Sequence, residues 1–204
     1  IGMLTAFIVR TVFIKCLNED FLSINGLYSS ILVMLSLAEL GFGTAIVYSM
    51  YRPLANNDTE KLNQLMLLYK RVYTIIGGVI LLIGLCLIPF LDNLVKGAPN
   101  VSGLKFYYLL FLLNSVVSYW FFAYKNSLLQ ADQKSYIVNN YISIFSVIKS
   151  IMQICLLIIF HNYTLYLLTQ ILCTIGQNIF ISIRVNKLYP FLKEKTKTKL
   201  SKSE

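Results

Sequence analysis

Charge is scarce in this chain. Only 13% of its 204 residues are charged and 57% are hydrophobic, whereas soluble domains carry about 25% charged residues. Carboxylates are scarcer still, nine against 18 lysines and arginines, and no two are spaced as an acid–base pair. There is one histidine, His161, set between apolar blocks, where a loop role outweighs catalysis. The four cysteines, Cys16, Cys86, Cys155 and Cys173, have no CxxC spacing, so they read as small apolar fillers and not as metal ligands. No GxxxxGK or HExxH motif occurs. Metal-dependent and nucleotide-dependent enzymes therefore lose their usual signatures, no cofactor or metal is expected, and an enzyme is not the favoured reading.

What is present is long apolar runs. Ile24–Met50, Val72–Leu91, Phe106–Phe122, Tyr136–Phe160 and Tyr163–Ile183 approach or exceed the roughly 20 residues needed to cross a bilayer. Ile1–Leu17 is slightly short and starts inside an apolar run, so a fragment with part of its first helix missing is expected. A cleaved signal peptide fits worse, because Arg10 and Lys15 interrupt the run on the wrong side. Spanning segments must satisfy their backbone groups internally, so the blocks are expected to be helices. The expected fold is an all-α membrane protein, a six-helix bundle with spans at about 1–17, 23–51, 64–91, 104–124, 136–160 and 164–184. Residues 1–190 form the bundle, and 191–204 form a basic cytoplasmic tail or linker after Pro190. A greasy soluble helical domain would need polar faces that these blocks lack.

If Ile1–Leu17 runs from inside to outside, the inner connections and tail hold 13 of the 18 basic residues, among them Arg52, Lys70, Arg71, Lys125 and Lys134. The outer connections hold Lys15, Lys96 and Lys105. An excess of Lys and Arg marks the cytoplasmic side, so the tail is expected in the cytoplasm. Positive charge here reports topology and contact with anionic lipid. Nucleic acid is not an expected partner, since no basic folded face is evident. The inner loop Arg52–Asn63 begins with Pro53, which suits a turn or helix start, and Pro89 is expected to bend or end the third span. Gly77 and Gly84, one heptad apart, are read as close helix-packing positions; Gly26 with Ser30 and Gly41 with Ala45 have similar spacing.

Three charges lie inside expected spans: Arg10, Glu39 and Lys149. Each costs about 2.5–3.5 kcal/mol on insertion scales, and such groups usually face an interior or a wet cavity. Around Lys149, residues Asn139, Ser143, Ser146, Ser150 and Gln153 follow steps of four, three, four and three, which places them on one helical face. That stripe suits a helix lining an aqueous cavity; the alternative is hydrogen bonding to neighbouring helices with Lys149 paired to a buried acid. The second span repeats the pattern with Asn25, Ser29, Ser36, Glu39 and Gly43, the sixth carries Gln170, Thr174 and Gln177, and the fourth carries Asn114 and Ser118. The fourth span's aromatics, from Tyr107 to Tyr124, suit an interfacial belt or a cavity wall. The third span lacks a polar stripe and is expected to face lipid. At 1.5 Å rise per residue, Arg10 lies about 12 Å below the outer surface and Lys149 at nearly the same level, in the outer half of the membrane. Glu39 lies about 24 Å down, towards the inner side, so a direct Arg10–Glu39 pair would require tilt. Two cations with one displaced acid leave a positive site suited to phosphate or pyrophosphate.

The stretch from Arg10 to Leu91 resembles the polysaccharide-biosynthesis flippases of the multidrug/oligosaccharidyl-lipid/polysaccharide exporter superfamily. The resemblance rests on Arg10, on N-G-L at Asn25–Leu27, on A-E-L-G-F-G at Ala38–Gly43 and on Y-R-P-L-A at Tyr51–Ala55, followed by Asp58, Lys61 and Lys70–Arg71. It implies twelve to fourteen spans in two six-helix lobes around a central cavity, with this chain as the first lobe and a second lobe missing. It also implies movement of undecaprenyl-pyrophosphate-linked oligosaccharide units across the cytoplasmic membrane by alternating access, with membrane lipids and other polysaccharide-assembly proteins as further partners. Arg10 matches a family position facing the pyrophosphate; Lys149 is assigned by spacing alone, and Glu39 is assigned to a gate or ion-coupling site. Two alternatives remain. A cation-coupled drug exporter would want acidic cavity groups. A membrane-embedded polymerase would want carboxylate or Arg clusters in a long outer loop.

Overall fold

The computed structural model describes residues 2–17, 19–36, 42–91 and 103–193, and among these it is all-helical. The helices are α1 (Gly2–Cys16), α2 (Glu19–Ser36), α3 (Phe42–Ala55), α4 (Thr59–Leu87), α5 (Leu104–Trp120), α6 (Asn126–Ala131), α7 (Ser135–Phe160) and α8 (Tyr163–Leu188). The expected second span is described as two helices, α2 and α3, on either side of residues 37–41. Glu39 and Gly41 lie outside the described residues. Among the described residues, three helices are long and apolar enough to cross a membrane: Thr59–Phe90, Ser135–Phe160 and Tyr163–Leu188. A fourth joins them if Leu104–Trp120 and Ala123–Ala131, bent by 43°, form one span. In length and composition these helices are consistent with a membrane protein.

The helix ends follow local chemistry. Asp58 caps α4, its carboxylate accepting from the Lys61 backbone N–H at 3.0 Å. This satisfies one of the free donors of the first turn. The helix therefore starts five residues before the expected span and, with 29 residues, is about 44 Å long. That exceeds the roughly 30 Å hydrocarbon core, and the surplus turns carry Glu60, Lys61, Lys70 and Arg71. Pro53 does not begin a helix; it sits inside the last turn of α3, close to where that helix ends. At Pro89 the α-helical pattern gives way to a 3-10 turn, Ile88–Phe90.

Two apolar clusters hold the helices together, one at each end of the molecule. The first joins Phe13 of α1, Ile24 and Tyr28 of α2, Ile80 of α4, Tyr108 of α5 and Leu157 of α7. The second joins Met50 of α3, Met66 and Tyr69 of α4, Leu128 of α6 and Ile181 of α8. Late residues of α4 and α7 meet early residues of α2, α5 and α8 in the first cluster, so neighbouring helices alternate in direction. Aromatic rings dominate this end: Tyr28 meets Tyr108 edge-on at 5.3 Å and Tyr107 meets Tyr163 at 4.9 Å. Tyr107, Tyr108 and Tyr119 thus belong to the core, as neither belt nor cavity wall, while Trp120, Phe121 and Phe122 stay exposed.

Gly77 and Gly84 put the backbone of α4 against α5. A side chain at Gly77 would collide with the Trp120 indole, and one at Gly84 with Leu112. The Tyr108 hydroxyl donates to the Gly84 carbonyl at 3.0 Å. Gly26 differs: nothing lies within 4 Å of the space beside it, so it is no packing contact.

The turn between α6 and α7 is tied to the end of α8. Asp132 accepts from the Lys134 ammonium at 2.6 Å and from the Tyr189 hydroxyl. Burial alone would raise the Asp132 pKa, but the hydrogen bonds from Lys134 and Tyr189 and the Lys134 charge outweigh it, and the net shift is downward from 3.8. A carboxylate lowered in the native state stabilises above its unfolded value and loses that contribution as pH falls through the native one. Asp132→Asn should therefore lower the melting temperature near neutral pH and flatten the acid limb below a pH of about 4. Thermal unfolding across pH in neutral detergent measures both.

Candidate functional site

Three helices enclose a cavity of about 320 Å³. α1 contributes Thr5, Val9, Arg10 and Phe13, and α2 contributes Leu22, Asn25, Gly26 and Ser29. α7 contributes Ser146, Lys149, Ser150 and Gln153, and Tyr166 of α8 closes one side. On each of the three helices the lining positions recur every three or four residues, the spacing of one helical face. The cavity opens to the surface, where Arg10, Gly26 and Ser29 are exposed.

The lining is rich in unpaired donors. Among the described residues, Arg10 and Lys149 have no ion pair or hydrogen bond, and no described acid neutralises Lys149. The side chains of Asn25, Ser29 and Ser146 are likewise without protein partners. Gln153 donates to the Tyr166 carbonyl at 3.3 Å, and Ser150 donates to the Ser146 carbonyl at 2.8 Å. Two cations facing one concave space, with no carboxylate among its described lining residues, favour a bound anion. Arg supplies a planar fork and Lys a point charge, the pair of donor types that grips phosphate oxygens.

Seven of the residues singled out in the sequence meet here: Arg10, Asn25, Ser29, Ser146, Lys149, Ser150 and Gln153. The others lie outside this lining. Ser36 is at the end of α2 with its hydroxyl on the Val33 carbonyl at 2.7 Å. Asn139 and Ser143 are exposed on the early turns of α7. Asn114 accepts from the Thr174 hydroxyl at 3.1 Å and so joins α5 to α8. Gln170 and Gln177 are half-buried on α8. Thr5, Gly26 and Tyr166 were not legible as lining residues; their side chains carry no charge or stripe that marks them.

A second cavity, about 190 Å³, lies towards the other cluster, between α4, the bend after α5, and α8. Lys125 lines it, and it is 7% exposed, although its sequence setting suggested a solvated connection. Phe122 adopts a left-handed conformation with φ 59°, which breaks the helix and turns Lys125 inward. The ammonium donates to Ser182 at 2.7 Å and to the Asn186 carbonyl oxygen at 2.8 Å.

No protein-family model matches this chain, and neither a curated protein nor a solved structure matches it significantly.

Proposed function

We propose that the chain is the N-terminal six-helix lobe of a flippase that moves undecaprenyl-pyrophosphate-linked oligosaccharide units across the bacterial cytoplasmic membrane by alternating access, with its tail in the cytoplasm. The observation that carries this reading is the pair of cations, Arg10 and Lys149, on one cavity with no ion pair to either among the described residues. The resemblance over Arg10–Leu91 supplies the family, and the cavity chemistry supports an anionic cargo group. In this reading the pyrophosphate sits between the Arg10 fork and the Lys149 ammonium. Asn25, Ser29 and Ser146 offer it further donors, and the space beside Gly26 leaves room for it. The absence of a carboxylate from the described lining runs against a site built for cationic drugs.

Carrying Arg10→Gln and Lys149→Gln together in the full-length gene tests this. Export of surface polysaccharide should fall by at least about tenfold, the loss expected when a charged hydrogen bond of about 1.5–3 kcal/mol is removed. Normal export from a normally expressed double variant would refute the assignment.

A further inference from the structure

We propose that the second cavity is a separate anion site that holds a phosphate group, as free phosphate or as a lipid headgroup, between Lys125 and Lys70. Its lining consists of donors. Lys125 has three N–H groups; Ser182 and Asn186 take two, and the third has no acceptor among the described residues. Lys70, the Tyr124 hydroxyl and the Asn186 amide N–H₂ also line the space, with no side-chain partner among the described residues.

Charge makes the same point. Phe122 lies 5.0 Å below the Lys125 ammonium, and the direct partners Ser182 and Asn186 are neutral. A buried ammonium held only by neutral acceptors and a ring face is costly in a low-dielectric setting, and an anion beside it would offset that cost. Lys70 adds a second positive charge to the same space. A phosphate group brings compensating negative charge and enough acceptor oxygens for all four donors. At about 190 Å³ the space is smaller than the roughly 300–1,000 Å³ of sites for drug-sized ligands, so a headgroup or small anion fits and a larger molecule does not. The chain after α8 lies over the site: Leu192 lines it, and the Asn63 amide donates to the Phe191 carbonyl at 2.8 Å. An anion bound here would therefore fix the exit of the chain from α8.

The test uses the Arg10→Gln/Lys149→Gln protein as parent, so the first cavity is silent. It is reconstituted in nanodiscs of phosphatidylcholine, with sodium phosphate against sodium chloride at equal ionic strength, and in nanodiscs containing phosphatidylglycerol. At least one arm should raise the melting temperature by about 3–8 °C, the size expected for ligand binding well above Kd in a chain of this length. A rise with phosphate in phosphatidylcholine assigns the free anion, and a rise only with phosphatidylglycerol assigns the headgroup. Lys125→Met should abolish the rise. Lys70→Gln, at an exposed position, should fold and should reduce the rise by more than half, which keeps the test valid if Lys125→Met does not fold. No rise in either arm, or a full rise in Lys70→Gln, would overturn the site.

Discussion

Gly84→Val should lower the melting temperature by roughly 5–10 °C, while Gly78→Val should leave it within about 2 °C. The two glycines are on the same helix and the same substitution is made at each, so helix propensity cancels from the comparison. They differ in what stands beside them. Beside Gly84 is Leu112, 1% exposed, and the Gly84 carbonyl accepts the Tyr108 hydroxyl; beside Gly78 there is open space within 4 Å. Added methyl groups in a packed contact cost about 1–3 kcal/mol, and that cost falls on the α4–α5 pair alone. Equal melting temperatures for the two variants would mean that the helices do not approach at Gly84.

This contact was legible in the sequence because a heptad spacing of glycines on an apolar helix has few other uses. The Ser146–Ser150–Gln153 stripe and the place of Arg10 and Lys149 on one cavity were legible for a similar reason. Helical rise and period are local properties, and an ionisable group in an apolar span has to face something polar. The same stripe overreached at Asn139 and Ser143. The described cavity covers only two turns of α7, and how far it extends depends on which turns of α1 and α2 dock there. Burial of Lys125 was hidden altogether. It depends on the left-handed residue Phe122 and on Ser182 and Asn186, 57 and 61 positions away, and no local pattern encodes that meeting. The link from Asp132 to Tyr189 has the same character. Pro53 misled because proline usually marks a turn or a helix start, whereas here it is taken inside the last turn of α3.

The cationic cavity has the larger consequence for function. With no ion pair to Arg10 or Lys149 among the described residues, a pyrophosphate bound as proposed would break no described salt bridge, and its charged hydrogen bonds would count in full. Each is worth about 1.5–3 kcal/mol, and the two together correspond to a factor of at least about a hundred in affinity. Single variants should fall between wild type and the double variant, and added salt should weaken the wild type more than the double variant, because screening acts on charge. Removal of a merely structural charge would change the melting temperature without this graded, salt-linked pattern.

The most direct measurement is therefore a titration of the protein in phosphatidylcholine nanodiscs with farnesyl pyrophosphate, with farnesol as the uncharged control. The account predicts saturable binding of the pyrophosphate by wild type, at least about a hundredfold weaker binding by Arg10→Gln/Lys149→Gln, and equal partitioning of farnesol in both. Equal affinity of the two proteins for farnesyl pyrophosphate would contradict it.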